Sequence, residues 1–174
     1  LLAREVYDRV VERKGAAHVA GHEICGHVAQ PGHPRDGQHC AVYIPEHCGT
    51  CATCRAGHTQ MCTEVSSLIG WNRDGGYAEY LRVPDNCLMP VPDDIPLDLA
   101  PLLLDTIGTS AHAVREGRRV LATQTPRVLV TGAGPVGLGV LLALRAMGQA
   151  EVHVSDPNPD RLALAEEFGG IAVP

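Results

Sequence analysis

The spacing of apolar residues changes twice along the chain. Leu2, Val6, Val10 and Val11 recur at helical intervals ahead of Gly15, which predicts an amphipathic helix over residues 1–16. Downstream, to about residue 96, no long period survives. Residues 31–40 hold two prolines and two glycines and predict a loop. The apolar run Ala41–Ile44 and the alternating segment Gly75–Val83 are short and bounded by proline or glycine, as strands of a small, irregular β-barrel would be. From residue 97 to about 116 the helical period returns through Leu99, Leu102, Leu103, Ile107 and Ala111. The last third alternates strand and helix. Arg127–Thr131 and Glu151–Ser155 read as buried strands, each followed by a helix, and a third strand opens at Ile171. Asn158 and Pro159 are a cap and first-turn pair for the second of those helices, and Gly169 closes it. The predicted fold is α/β plus β: a barrel domain over residues 1–120, then a parallel half-sheet over residues 121–174.

Cysteine placement adds chemistry to this outline. Cys48, Cys51, Cys54 and Cys62 lie within fifteen consecutive positions, spaced C-x2-C-x2-C-x7-C, with Gly49, Thr50 and Gly57 supplying tight turns. Four thiolates held by short loops make a closed tetrahedral zinc site. Disulfides are the alternative in an oxidising compartment. An iron–sulfur motif would place its last cysteine three residues on and before proline, whereas here the gap is seven and Thr63 follows. The spacing points to structural zinc.

The totals mainly exclude. Aromatics make up 3% of the chain, too few for a base-stacking surface, and the net charge of −6 disfavours nucleic acid and anionic membrane as partners. No apolar run is long enough to span a bilayer. Outside the lobe, Gly21-His22-Glu23 sets an imidazole beside a carboxylate. Cys25 and His27 would point to the opposite face of an extended strand from His22, so they read as core or surface residues, and Cys87 as a small buried hydrophobe. Asp105 interrupts the apolar run Leu-Leu-Leu-Asp-Thr-Ile-Gly; it reads either as a metal ligand or as a helix-capping or solvent-facing carboxylate. His112 reads as structural.

Gly132-Ala-Gly134-Pro135-Val136-Gly137 follows a strand and opens a helix, and Asp156 stands 19 residues after the last glycine at the end of the next strand. Those are the contexts a dinucleotide fingerprint requires. Gly132 permits the turn, Gly134 lets a pyrophosphate approach the helix N-terminus, and Gly137 lets helix and strand pack closely. Asp156 would accept hydrogen bonds from the adenosine ribose, which favours NAD over NADP.

The order of Gly21-His22-Glu23, the cysteine lobe, Gly75-Gly-Tyr-Ala-Glu-Tyr80 and the glycine loop resembles the zinc-dependent medium-chain alcohol dehydrogenase family, from about His18 to Pro174. The resemblance implies a GroES-like barrel catalytic domain followed by the first half of a Rossmann NAD-binding sheet. By position, His22 is similar to the family's catalytic zinc ligand, Glu23 to its exchanging neighbour, and Asp105 to the third ligand. The four cysteines match the structural quartet. Two zinc ions and NAD are the implied cofactors. Hydride transfer from the carbon of an alcohol or polyol to the nicotinamide, with zinc activating the alcohol oxygen, is the implied reaction, in a cytoplasmic homo-oligomer. No cysteine precedes Gly21, where the family has its first catalytic ligand, and the sheet stops after its second helix. An internal fragment or truncated member, inactive by itself, is therefore expected. The rival expectation is a non-catalytic relative with structural zinc and dinucleotide but no complete catalytic site. A zinc-free quinone reductase would share the glycine loop but lack the Gly21-His22-Glu23 triplet and the cysteine lobe.

Overall fold

The computed structural model describes residues 18–120, 127–148 and 151–173, so the helix predicted over residues 1–16 lies outside them. The chain divides into two compact units, Leu1–Pro101 and Leu102–Pro174.

The first unit is organised on a small antiparallel sheet. Strands β1 (Cys25–His27), β2 (His39–Val42) and β3 (Leu88–Pro90) lie in the order β1-β2-β3. The register sets Cys25 opposite Ala41 and His27 opposite His39, then Cys40 opposite Pro90 and Val42 opposite Leu88. Central β2 buries Cys40, Ala41 and Val42, while Pro90, which has no N–H to give a further partner, sits on an edge strand. These are three strands among the described residues; they do not by themselves trace a closed barrel.

Two elements differ from their sequence reading. Gly75–Val83 forms no strand. Gly75, Gly76 and Tyr77 donate their amides to the carbonyls of Val19, Gly21 and Ala20, but the pairing goes no further. The partner segment turns away at Gly21, whose φ of 103° no side-chain-bearing residue adopts readily. Without a ladder the alternation has nothing to bury, and Tyr77 and Tyr80 remain 80% and 74% exposed. The helix expected from residue 97 begins instead at Thr106, after a 3₁₀ turn over Ala100–Leu103. Pro101 explains the delay, since proline disfavours α geometry in the residue before it and cannot donate an amide. Leu99, Leu102 and Leu103 are consequently exposed and do not form a core stripe.

The second unit is regular. Strands β4 (Val128–Thr131), β5 (Val152–Ser155) and β6 (Ile171–Val173) run parallel in that order, with Val128 opposite Val152 and Val154 opposite Ala172. Following the short α1 (Ala52–Arg55) of the first unit, the helices here are α2 (Thr106–Val120), α3 (Pro135–Ala146) and α4 (Pro159–Glu167). Val114, Val130, Ala133, Leu141, Leu144, Val152, Val154 and Ala165 form one core. Each large aliphatic among them contributes about 1.5–3 kcal/mol by leaving water. Asn158 caps α4 by accepting from the amides of Asp160 and Arg161, and Pro159 takes the first turn, as the sequence predicts.

Helix α2 packs on α3, which is why the compact units divide at 101/102 whereas the sequence reading divides the chain at 120/121. Ser110 is fully buried, its hydroxyl 2.6 Å from the Thr106 carbonyl and 2.9 Å from that of Val136. Gly139 leaves the room for it: a Cβ there would meet Ser110 Oγ.

Candidate metal lobe and dinucleotide cradle

The cysteine lobe is a closed excursion of the first unit. It leaves at Glu46, whose amide donates to Ser67 O, and Ile69 then donates to Ile44 O, so both ends are pinned together. Asn72 reinforces the return by accepting from the Leu68 amide and donating to Ser66 O. Inside, regular structure is scarce: α1 and a 3₁₀ turn over Thr59–Met61.

What fills the lobe is sulfur. Donor atoms of Cys48, Cys51, Cys54 and Cys62 all lie within 4.8 Å of one another, and among the described residues no other group of three or more such side chains gathers this closely. Cys48 Sγ is 4.0 Å from Cys54 Sγ, and Cys51 Sγ is 4.0 Å from Cys62 Sγ. That is about twice an S–S bond, and all four are free thiols. It is close to the ~3.8 Å between sulfurs on a tetrahedron of 2.3 Å Zn–S bonds. Amides of Thr50 and Cys51 point at Cys48 Sγ at 3.3 and 3.2 Å, and Cys48 N–H points at Cys62 Sγ at 3.4 Å. These donors favour charged sulfur. The Thr53 hydroxyl, 3.0 Å from Cys51 Sγ, with backbone amides behind it, brings the Cys51 thiol down to about 5. Burial and the surrounding sulfurs push Cys54 up to about 12. Crowded thiols cannot all ionise alone, whereas a soft divalent cation lets them do so. The donor set fits zinc. Thr53 was not legible as part of this site, because nothing in its spacing separates it from any other turn threonine.

Cys25, Cys40 and Cys87 behave differently. Desolvation by burial raises all three thiols, which keeps them neutral and in keeping with structural roles.

His22 and Glu23 follow Gly21 in a segment clamped from both sides. Val19 N–H donates to the Asp74 carboxylate at 2.9 Å, and the amides of residues 75–77 close the other side. A Cβ at Gly21 would strike the Tyr77 ring, and one at Gly70 or Gly75 would strike Gly21 O. The glycines at 70 and 75 thus belong to the support of His22, a role visible only once the segments meet. The His22 ring lies 5.1 Å from that of Trp71. Asp105 lies in the second unit, immediately before α2, and its carboxylate accepts from Thr109 Oγ1 at 2.9 Å. The structure gathers the four cysteines; His22 and Glu23 belong to one unit and Asp105 to the other.

In the second unit the glycine loop joins β4 to α3. Gly132 has a φ of 94°, and its amide donates to Ser155 O at 2.7 Å, tying the loop to the end of β5. A Cβ on Gly137 would collide with the Gly132 carbonyl oxygen, so only glycine allows this approach. Gly134 stands at the α3 N-cap in extended conformation, Pro135 takes the first turn, and Val136 is half exposed. The helix therefore points its unpaired amides outward beside a loop that has no side chains at Gly132 or Gly134. Asp156 closes the construction. One oxygen accepts from Ala133 N–H at 2.7 Å and the other from Asn158 N–H at 2.8 Å. The Asn158 amide first, then the Ala133 amide and the Arg161 guanidinium, hold this carboxyl below its ordinary value. Its side chain is 4% exposed, so Asp156 also builds the loop that carries the diphosphate fingerprint. A carboxylate has further lone pairs for a ribose, and the cradle fits a dinucleotide.

A four-thiol lobe and a strand–glycine loop–helix cradle on one chain are features of the medium-chain dehydrogenase class. More particularly, the chain belongs to the alcohol dehydrogenase family: residues 3–93 match its GroES-like domain. The L-threonine 3-dehydrogenase of Rhizobium rhizogenes is 35% identical over 155 residues, covering 87% of this chain and 43% of that protein. The L-galactonate-5-dehydrogenase of Escherichia coli is 40% identical over 147 residues, covering 82% of this chain and 41% of its own. Among solved structures, acetophenone reductase from Geotrichum candidum in complex with NAD superposes with a TM-score of 0.80 at 28% identity, covering 95% of this chain and 51% of that one. The chain spans under half the length of these two curated relatives. No helix among the described residues is long and apolar enough to cross a membrane.

Proposed function

We propose that this protein acts as a zinc-dependent, NAD-linked alcohol or polyol dehydrogenase, with the first unit as part of its GroES-like barrel domain and the second as its Rossmann half-sheet. The observation that carries the reading is the glycine loop closed by the Asp156 carboxylate, standing in a chain of the alcohol dehydrogenase family. When bound, zinc supplies a Lewis acid toward an alcohol oxygen and NAD supplies the hydride acceptor. The chain's own residues bind and orient. Backbone amides at the α3 N-terminus, in the turn of Gly134, Val136 and Gly137 that Pro135 opens, meet the diphosphate, and Asp156 accepts from the ribose. Its charge repels a 2′-phosphate, which supports NAD over NADP. Cys48, Cys51, Cys54 and Cys62 hold the structural zinc. His22 and Asp105 are assigned to the catalytic zinc, with Glu23 as the exchanging neighbour, on the family likeness. Free thiols throughout suit a reducing compartment such as the cytoplasm.

One observation favours a second reading, a non-catalytic relative: the four cysteines are the one close donor cluster among the described residues. Zinc content and cofactor choice separate the two. On the first reading His22→Ala and Asp105→Asn each lower zinc per chain while the four-sulfur zinc stays, and NADH binds more tightly than NADPH until Asp156→Ser narrows the gap. Zinc content unmoved by both substitutions supports the non-catalytic relative. Equal binding of NADPH by the unmodified protein overturns the NAD assignment.

A further inference from the structure

We propose that the cross-strand pair His27 and His39 is a further metal site, taking a divalent transition ion of the Cu²⁺, Ni²⁺ or Zn²⁺ kind. The two residues are direct partners in the β1–β2 register, so their Cβ atoms leave the same face of the sheet about 4.5–5.5 Å apart. The rings already meet edge to face, centroids 4.3 Å apart and 83° between planes. Two imidazole nitrogens bound to one tetrahedral ion stand about 3.3 Å apart, a separation that small rotations about χ1 and χ2 supply from this starting geometry.

The ring nitrogens are available. His33 is held by Asp85, His47 by the Pro45 carbonyl, His112 by Arg115 and His153 by Glu151. The rings of His27 and His39 have no hydrogen-bond or ion-pair partner among the described residues. His27 is exposed and His39 half-buried, so an aqueous ion reaches them and keeps water in its remaining positions.

The hairpin is also stiff enough to hold both ligands in register. Beyond the pair, Val28 N–H donates to Gln38 O at 3.0 Å and Gly37 N–H to Val28 O at 2.8 Å. Arg35 donates to the Leu88 carbonyl at 2.9 Å, tying the connecting loop to the start of β3. Fixing both imidazoles on neighbouring strands removes ordering entropy that a flexible pair would lose on binding. Imidazole suits these borderline ions, and two such ligands bind better than one. This site is independent of the cysteine lobe and of the assignments to His22 and Asp105.

The test is Ni²⁺ added to the full chain with its cysteine quartet already loaded with zinc, followed by paramagnetic broadening of the imidazole proton signals. His27 and His39 should broaden together, ahead of every histidine other than His22. Losing even an outer-shell partner costs a metal site about tenfold or more, and losing a ligand no less. His27→Ala should therefore raise the Ni²⁺ concentration that half-broadens His39 by at least that factor, and His39→Gln should do the same for His27. His112→Ala should change neither. His27 is exposed, so its variant keeps the fold even where His39→Gln does not. Broadening of His27 with His39 left sharp, or a midpoint for His39 unmoved by His27→Ala, overturns the proposal.

Discussion

The cysteine lobe and the dinucleotide cradle reach order by opposite routes. Around the cradle, Val130, Leu141, Val152, Val154 and Ala165 are buried in one core, and the loop geometry follows from strand, helix and three glycines. The loop amides of Gly132 and Ala133 are paired before any ligand arrives, which leaves the first amides of α3 to meet one. Between Glu46 and Ser67 only Cys54 is fully buried, and the convergent groups are four thiols. A lobe with so little apolar surface cannot offset its conformational entropy by burial, which leaves the metal to do so. One binding region is thus pre-built and the other is completed by what it binds.

The largest expected effect separates these routes. Cys54→Ser removes the buried sulfur of the quartet; a structural zinc supplies about 10–16 kcal/mol to small zinc folds, and this lobe should lose a loss-making share of several kcal/mol. Hydrogen exchange should show residues 46–67 losing protection while Val130, Val152 and Val154 keep theirs. Protection retained across the lobe in the metal-free variant would mean that the lobe is pre-built after all.

The converse disruption is Gly137→Val. Its side chain would meet the Gly132 carbonyl and the Val130 side chain, an overpacking of about 1–3 kcal/mol. NADH binding should fall sharply with the zinc content of the lobe unchanged. Wild-type affinity for NADH would show that α3 can shift without disturbing the loop.

How legible each region was follows from the same contrast. The strands of the second unit, the helices after β4 and β5 and the α4 cap were readable because periodicity, Asn158-Pro159 and the glycine spacing are local signals that agree with the packing. The convergence of the four cysteines was readable because ligand spacing within one short loop is also local. Gly75–Val83 was misread because alternation says nothing about whether a partner strand is present to pair beyond Tyr77. The helix start was misread because Pro101 outweighs a leucine period that extends upstream of it. Gly70 and Gly75 against Gly21, Trp71 beside His22, and Ala133 N–H on Asp156 are contacts between distant segments, and no spacing announces them.

Acid should distinguish the two regions more gently. The amides of Asn158 and Ala133 hold the Asp156 carboxyl below its ordinary 3.8, so its contribution to stability is complete above the unfolded carboxylate value. That contribution is lost as pH falls through the lower, folded value. Asp156→Asn should lower the melting temperature of the second unit near neutral pH and flatten its dependence on pH below about 4. An acid limb identical to that of the unmodified protein would remove Asp156 as the carboxylate that links this loop to pH.

The smallest effect probes whether the cradle's order is cooperative. Asn158 Oδ1 accepts from the amides of Asp160 and Arg161 at 2.9 and 3.3 Å, and its own amide reaches Asp156. Asn158→Ala removes the side-chain cap and leaves the backbone donor to Asp156 in place, so about 1 kcal/mol should go from α4. Denaturant unfolding measures that loss directly. Because the Asp156–Asn158 amide bond survives, affinity for NADH should change far less than in Gly137→Val. A large loss of NADH binding from this cap alone would mean that α4 holds Asp156 in position, and that the loop depends on the helix after β5 as much as on the glycines before α3.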